Sequence, residues 1–176
     1  MLFRRINAII SLLTTVLLLD HAIIISVWML SRGSVEQSAP TAARILVCLM
    51  GLHALISIFF AIRSHRDSDG SKVKNYPKLN RSTYFQRVSG ILLIVFTALH
   101  IAGAADAMQP PQIVHAILHP LFFTIALAHA AVSTDKAFIT LGIGNAKFVK
   151  GVSIAIKVIC AATLIASISG FYLFVC

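Results

Sequence analysis

Five long apolar runs constrain this chain more than any other feature of its sequence. They cover about residues 6–30, 42–62, 84–104, 113–132 and 148–175. Each run comes near or above the ~20 residues that a helix needs to cross a bilayer. Because 58% of the 176 residues are hydrophobic, little sequence is left for a soluble domain. The sequence therefore predicts an all-α fold in which residues 1–176 form a single membrane domain, a five-helix transmembrane bundle.

Basic residues are distributed unevenly between the ends of these runs. Thirteen of the fifteen Lys and Arg residues lie before the first run, around the polar loop 65–81, or around the connection between the fourth and fifth runs. Only Arg32 and Arg44 flank the opposite ends. Because cytoplasmic connections of membrane proteins are enriched in Lys and Arg, the N-terminus and the loop 65–81 are predicted to be cytoplasmic and the C-terminus to lie outside. The net charge of +9 is interpreted as a signal for topology and docking rather than for nucleic acid.

Histidines are unusually frequent within the apolar runs. Six of the seven histidines lie there: His21, His53, His100, His115, His119 and His129. A single intramembrane histidine often only hydrogen-bonds to a neighbouring helix. Six histidines on four helices favour a bundle that holds a haem or a metal in its core. The three cysteines form no CxxC or CxxCH motif, which argues against a zinc site, a disulfide framework and a covalently attached haem.

The depth of the histidines separates them into two groups. His21 lies 16 residues beyond Arg5, and His100 lies 16 residues into the third run, which places both ~24 Å from the cytoplasmic ends of their helices. His53 and His129 lie nearer to the cytoplasmic ends. Two pairs at two depths would suit two haems stacked across the membrane.

His115 and His119 leave this assignment open. Depth alone does not distinguish His119 from His100 as a member of the deeper pair. His115 and His119 also share one helix face at a spacing of four residues. They could line a water-filled entry on the outer side or simply form hydrogen bonds to neighbouring helices.

Four segments of the chain carry a family resemblance. They are FRRINAII at 3–10, HALISIFFAI at 53–62, QRVSG at 86–90 with His100 ten residues later, and HAAVSTDKAFITLGI at 129–143. In their order and spacing they resemble the dihaem cytochrome b membrane subunit of succinate dehydrogenases and fumarate reductases, in the single-anchor class with five helices. The resemblance implies two non-covalent b-type haems. It assigns His21 and His100 to the distal haem and His53 and His129 to the proximal haem.

The same resemblance implies a role in electron transfer. Such a subunit passes electrons between an iron–sulfur subunit and the quinone pool, and anchors that subunit and an FAD-containing flavoprotein to the inner (cytoplasmic) membrane. The succinate or fumarate site lies in the flavoprotein and not in this chain. Because guanidinium groups pair with carboxylates, Arg81 and Arg87, with Ser89, are candidates to bind the propionates of the proximal haem.

Two quinone sites are compatible with this interpretation. Dihaem members of the family are most often linked to an outward site and to menaquinone, for which Glu36, Asp20 and Arg44 are candidate residues. An inward site would lie near Arg87 and Ser89. Asp20 could instead only bond to a neighbouring helix, as intramembrane carboxylates usually do.

Other functions fit parts of the pattern. A dihaem cytochrome b of a hydrogenase or a formate dehydrogenase would also carry bis-histidine haems but would associate with different subunits. A haem-free transporter or channel component could use the histidines as a polar path. These alternatives differ in whether haem is present and in which proteins accompany the chain.

Overall fold

The computed structural model describes residues 2–31, 40–68, 77–104, 112–143 and 146–175, and nearly all of them are helical. The helices are α1 (Leu2–Leu30), α2 (Pro40–Ser68), α3 (Pro77–Ala104), α4 (Gln112–Leu141) and α5 (Ala146–Val175). Each contains a segment long and apolar enough to cross a membrane. The prediction of an all-α protein with five helices that are long and apolar enough to span a membrane is confirmed.

The helices extend beyond the apolar runs at their polar ends. α2 continues to Ser68 and α3 begins at Pro77, so both ends of the predicted loop 65–81 are helical, and residues 69–76 lie outside the described part of the chain. Proline is well suited to the first position of a helix, where its missing N–H is not needed. α4 likewise continues past residue 132 to Leu141. Within it the buried Thr134 hydroxyl donates to the Ala130 carbonyl oxygen at 2.8 Å, so this hydroxyl needs no partner outside its helix.

Gly142 ends α4 with a left-handed residue. Its φ is +68°, its N–H donates to the Ile139 carbonyl oxygen at 3.2 Å, and the Ile143 N–H donates to the Phe138 carbonyl oxygen at 3.3 Å. This pair of bonds is a Schellman motif, which satisfies carbonyl groups that the end of a helix leaves unpaired. Glycine adopts this conformation without the steric penalty of a Cβ. The connection between α4 and α5 therefore begins at Gly142.

Two helices form the centre of the bundle. α1 packs against α2, α4 and α5, and α4 packs against α1, α3 and α5. Within the described ranges, α2 has an extensive contact only with α1, and α3 only with α4. The helices α2, α1, α4 and α3 therefore form a row in this order, and α5 covers the junction of α1 and α4. As a result α1 and α3 are second neighbours in the row, and so are α2 and α4.

Small residues allow α1 and α5 to approach closely. The hydroxyls of Ser26 and Ser167 are 2.7 Å apart, and both residues are buried. A Cβ on Gly170 would stand 3.2 Å from the Met29 Cβ and 3.3 Å from the Ser26 carbonyl oxygen. Close approach at small residues and short polar contacts between helices are the usual means of association inside a bilayer, where the hydrophobic effect does not bring helices together.

Contacts between helices place most of the cationic segments at one end of the bundle, here called the basic end. The Arg4 guanidinium lies 5.8 Å from the centre of the Phe60 ring, which joins the start of α1 to the last part of α2. Lys136 of α4 donates to Thr83 of α3, and Lys157 of α5 pairs with a carboxylate of α4. The starts of α1, α3 and α5 and the ends of α2 and α4 therefore form the basic end.

The outer surface of the bundle is strongly apolar. Large side chains such as Leu55, Ile91 and Ile165 are each more than 60% exposed. An apolar surface of this extent is typical of a face that contacts lipid or another protein. It supports the interpretation of the chain as a multi-pass membrane protein.

Candidate functional site

The predicted histidines lie on α1, α2, α3 and α4, the four helices that form the row. His21, His53, His100, His119 and His129 are all half-buried. The side chain of His115 lies outside the described residues. The described histidines fall into an inner pair toward the basic end and an outer group farther from it, and the two regions differ in chemistry.

His53 of the inner pair is held by α1. Its Nδ1 lies 3.1 Å from the Asn7 Oδ1, and the Asn7 Nδ2 donates to the Ser57 hydroxyl at 3.2 Å. Asn7 thus reaches from α1 to two residues that lie one turn apart on α2. The amide of Asn7 fixes both the position of α2 on α1 and the orientation of the His53 ring.

His129, the other member of the inner pair, is held by α3. Its Nδ1 lies 2.7 Å from the Ser89 Oγ, and the Ser89 hydroxyl donates to the Phe85 carbonyl oxygen at 2.6 Å. The adjacent Gly90 has no side chain, and a Cβ there would stand 3.6 Å from the His129 Cε1. Ser89 and Gly90, the last two residues of the QRVSG segment, therefore form the surface on which the His129 ring lies.

The inner pair brings together two helices that have no extensive contact with each other among the described residues. His53 is on α2 and His129 is on α4, and their imidazoles lie within range of a direct electrostatic interaction. Both rings use Nδ1 for their hydrogen bonds. Among the described residues, the Nε2 of neither ring takes part in a hydrogen bond. One imidazole nitrogen of His53 on α2 and one of His129 on α4 are thus available to a ligand.

The outer group is packed mainly against aromatic rings. The rings of His100 and His119 lie 5.5 Å apart, edge to face, and Phe122 lies 5.4 Å from His100. His119 stacks on Phe171 of α5 at 5.1 Å with an angle of 8° between the ring planes. α4 therefore presents His119 to α3 on one side and to α5 on the other.

His21 lies on α1 next to Asp20 in the sequence. Among the described residues it has no hydrogen bond or ring contact with His100. The structure thus places His100 beside His119, and among the described residues it gives His21 no hydrogen bond or ring contact with either. The sequence indicated that His100 and His119 lie at a similar depth, and in the structure their rings are in direct contact.

A polar network joins α3 and α4 at the basic end. The Lys136 ammonium donates to the Gln86 Oε1 at 2.6 Å and to the Thr83 hydroxyl at 3.0 Å. The Gln86 Nε2 donates to the Ser133 hydroxyl at 3.2 Å. Arg87 is exposed and lies within electrostatic range of Lys136. Among the residues predicted to bind propionates, Arg81 is also exposed, whereas the Ser89 hydroxyl contacts His129.

An ion pair that the sequence analysis did not identify joins α4 and α5. The Lys157 ammonium lies 2.8 Å from the Asp135 Oδ2 and also donates to the Ser153 hydroxyl at 2.8 Å. Cavities of about 480 and 700 Å³ lie beside this pair, and both are lined by Asp135, Ile139 and Lys157. The two residues are 22 positions apart in the sequence, and helical spacing predicts contacts only between residues three or four positions apart.

Of the residues predicted for the two quinone sites, Ser89 of the inward site contacts His129 of the inner pair. Asp20 and Arg44 are exposed on α1 and α2. Glu36 lies outside the described residues. Within the described ranges, no group of three or more His, Cys, Asp and Glu side chains is placed to hold a metal ion. Axial ligation of a haem, by contrast, requires only two side chains.

The comparisons with known proteins add no family or fold neighbour. No family model matches the chain, and neither the curated proteins nor the solved structures include a match to it. The functional assignment therefore depends on the residues and contacts described above and on the resemblance carried by the four sequence segments.

Proposed function

We propose that this chain is the membrane-anchor and electron-transfer subunit of a succinate dehydrogenase or fumarate reductase. In this proposal α1–α4 hold two b-type haems, and the chain passes electrons between an iron–sulfur subunit and the quinone pool. The FAD-containing flavoprotein that interconverts succinate and fumarate would bind to the complex outside the membrane. The lipid-facing surface of the five helices holds the complex in the cytoplasmic membrane.

One observation carries the proposal most directly. His53 and His129 lie on helices that are second neighbours, within electrostatic range of each other, and each uses Nδ1 for a hydrogen bond. A flat macrocycle with two axial imidazoles needs one nitrogen donor from each side and a gap between the helices that provide them. The inner pair offers one such nitrogen from each of two helices, and this supports the proposal.

The outer haem would use the second pair of non-adjacent helices. His21 is on α1 and His100 is on α3, which are also second neighbours in the row. His119, in contact with His100, is the competitor for this position. The family resemblance favours His100, and the substitution experiment in the Discussion distinguishes the two.

The group that these histidines would bind determines the chemistry. A haem with two imidazole ligands carries single electrons and offers no open position on iron for oxygen or substrate. The protein must therefore bind quinone beside a haem and not on it. Arg87 and Arg81, at the basic end, carry fixed positive charges that would neutralise the propionates of the inner haem.

The basic end gives the proposal its orientation. Under the positive-inside rule this end faces the cytoplasm, and the C-terminus of α5 then lies outside. The same cations would attract the acidic surface of an iron–sulfur subunit. Asp20, Arg44 and Glu36 would then serve a quinone site, most simply for menaquinone, on the outward side.

The test is a reduced-minus-oxidised spectrum of the purified chain, combined with a haem-to-protein ratio. We expect a b-type α-band and two haems per chain. A colourless preparation would reject the proposal and favour a transporter or channel component. Two haems together with hydrogenase or formate dehydrogenase subunits would place the chain in another respiratory complex.

Orientation can be tested independently of haem. A reporter that is active only in the cytoplasm is fused after residue 72, between α2 and α3, and separately after residue 176. We expect activity only for the first fusion. Activity at the C-terminus would reverse the orientation and with it the proposed docking side of the iron–sulfur subunit.

A further inference from the structure

The direction of the hydrogen bond at His53 follows from the chemistry of its partner. The His53 Nδ1 lies 3.1 Å from the Asn7 Oδ1. An amide oxygen has no proton, so the imidazole must donate, and Nδ1 carries the proton. In the structure the Asn7 Oδ1 faces His53, and the Nδ2 of the same amide donates to the Ser57 hydroxyl at 3.2 Å. A neutral His53 therefore has its lone pair on Nε2.

The same tautomer follows for His129 from a different partner. The Ser89 hydroxyl has one proton, which it donates to the Phe85 carbonyl oxygen at 2.6 Å. The contact of 2.7 Å between the Ser89 Oγ and the His129 Nδ1 is then one in which the imidazole donates. Serine in a membrane helix commonly makes such a bond to the preceding turn. His129 also has its lone pair on Nε2.

We propose that Asn7 and Ser89 are positioning residues of the inner haem site. By accepting the Nδ1–H they fix the tautomer and ring orientation of His53 and His129 and make each Nε2 a stronger electron donor. This inference rests on the proposed function. It gives Ser89 a role toward the axial ligand instead of the propionates.

Gly90 supports the role of Ser89. Because Gly90 lacks a side chain, the His129 ring lies against the backbone of α3, with its Cε1 3.6 Å from the place of a Cβ. The hydroxyl acceptor and the open backbone are adjacent residues of one helix. Together they give the Nδ1 side of the ring a defined seat on α3.

The main experiment compares two buried serines at the contact between α3 and α4. Ser89→Ala removes the acceptor of His129, and Ser133→Ala removes only a hydroxyl that accepts from Gln86. Loss of a residue that orients a ligand typically weakens binding of the bound group about 10- to 100-fold. We expect Ser89→Ala to weaken retention of the inner haem by about 10-fold or more.

Two spectroscopic readouts separate positioning from packing. We expect Ser89→Ala to raise the midpoint potential of the inner haem, because a less electron-rich imidazole stabilises the ferric state less. We also expect its low-spin ferric EPR signal to shift. Ser89→Thr, which keeps a hydroxyl, should restore both values, and Ser133→Ala should leave both unchanged.

Two substitutions of Asn7 should change the midpoint potential of the inner haem in opposite directions. Asn7→Leu removes the acceptor and is expected to raise the midpoint potential of the inner haem. Asn7→Asp offers a charged acceptor, which is expected to lower that potential below the wild-type value. Ser57→Ala removes the hydroxyl to which the Asn7 Nδ2 donates but keeps the acceptor oxygen, so its effect on the potential should be smaller than that of Asn7→Leu.

Three results would overturn the inference. The first is a wild-type potential and EPR signal in both Ser89→Ala and Asn7→Leu. The second is an equal effect of Ser133→Ala, which would reduce the role of Ser89 to packing. The third comes from ¹⁵N-histidine NMR of haem-free protein, in which the proton of His53 and His129 would be found on Nε2. Because this last measurement needs no haem, it also separates failure of the inference from failure of the proposed function.

Discussion

The inner and outer histidine regions satisfy their imidazoles in different ways. His53 and His129 are held by an amide and a hydroxyl from neighbouring helices. His100 and His119 lie against each other and against phenylalanine rings. A hydrogen bond at Nδ1 specifies which nitrogen is free, whereas an aromatic contact constrains only the plane of the ring. In the inner region the hydrogen bonds therefore select the ring nitrogen that remains for a ligand, and in the outer region the aromatic contacts orient the ring planes.

The largest expected effect is the loss of one haem on removal of an inner ligand. His53→Ala and His129→Ala should each reduce the haem-to-protein ratio from two to one, and the double substitution should cause no further loss, because one missing axial ligand already disables the site. The ratio is measured on purified protein by the pyridine haemochrome method. Retention of both haems in either variant would break the proposed pairing.

The outer region offers a direct competition between two touching histidines. His100→Ala should remove the outer haem, whereas His119→Phe should keep both haems and preserve the stack on Phe171, which is 5.1 Å from the His119 ring. The two variants are compared by haem content and by redox titration. The opposite result, with loss of haem only in His119→Phe, would assign the ligand role to His119.

Because α1 and α5 pack closely in the outer half, a larger side chain at their contact is expected to lower the stability of the protein. Gly170→Ala brings a Cβ within 3.3 Å of the Ser26 carbonyl oxygen. Overpacking of this kind costs about 1–3 kcal/mol, partly offset by the ~1 kcal/mol helix preference of alanine over glycine. We expect a lower unfolding temperature in detergent. Gly151→Ala, with nothing within 4 Å of its Cβ, is the control and should be neutral or slightly stabilising. An equal drop in both variants would show that close α1–α5 contact is not the cause.

The smallest effect is expected at the ion pair of the basic end. The side chains of Lys157 and Asp135 are 48% and 36% exposed, so loss of the pair in Lys157→Met should cost only about 0.5–1 kcal/mol. Unfolding in detergent measures this, with Lys150→Met as the control on the same helix. The double variant with Asp135→Asn should recover part of the loss. A loss well above that range would contradict the view that this exposed pair contributes little to stability.

Some features of the candidate site could be predicted from sequence and others could not. The intramembrane positions of the histidines and the small residues around them are visible in the apolar runs. The partners Asn7 and Ser89 are 46 and 40 residues away from the histidines they hold. Asn7 lies within the FRRINAII segment and Ser89 within QRVSG, so both were present in segments that carry the resemblance. No sequence spacing indicated which histidine each would contact.

The number, type and approximate length of the elements were determined by the sequence alone, because a bilayer forces every backbone polar group to be paired within its own segment and so makes each long apolar run a helix. The ends of the helices, the second-neighbour relation of α2 to α4 and the ring nitrogen used by each histidine were decided only by the tertiary structure. A helix that is apolar on nearly all sides carries no periodic mark of the face it will bury, so its rotation and its neighbours are set by close contacts such as those of Gly170, Asn7 and Ser89.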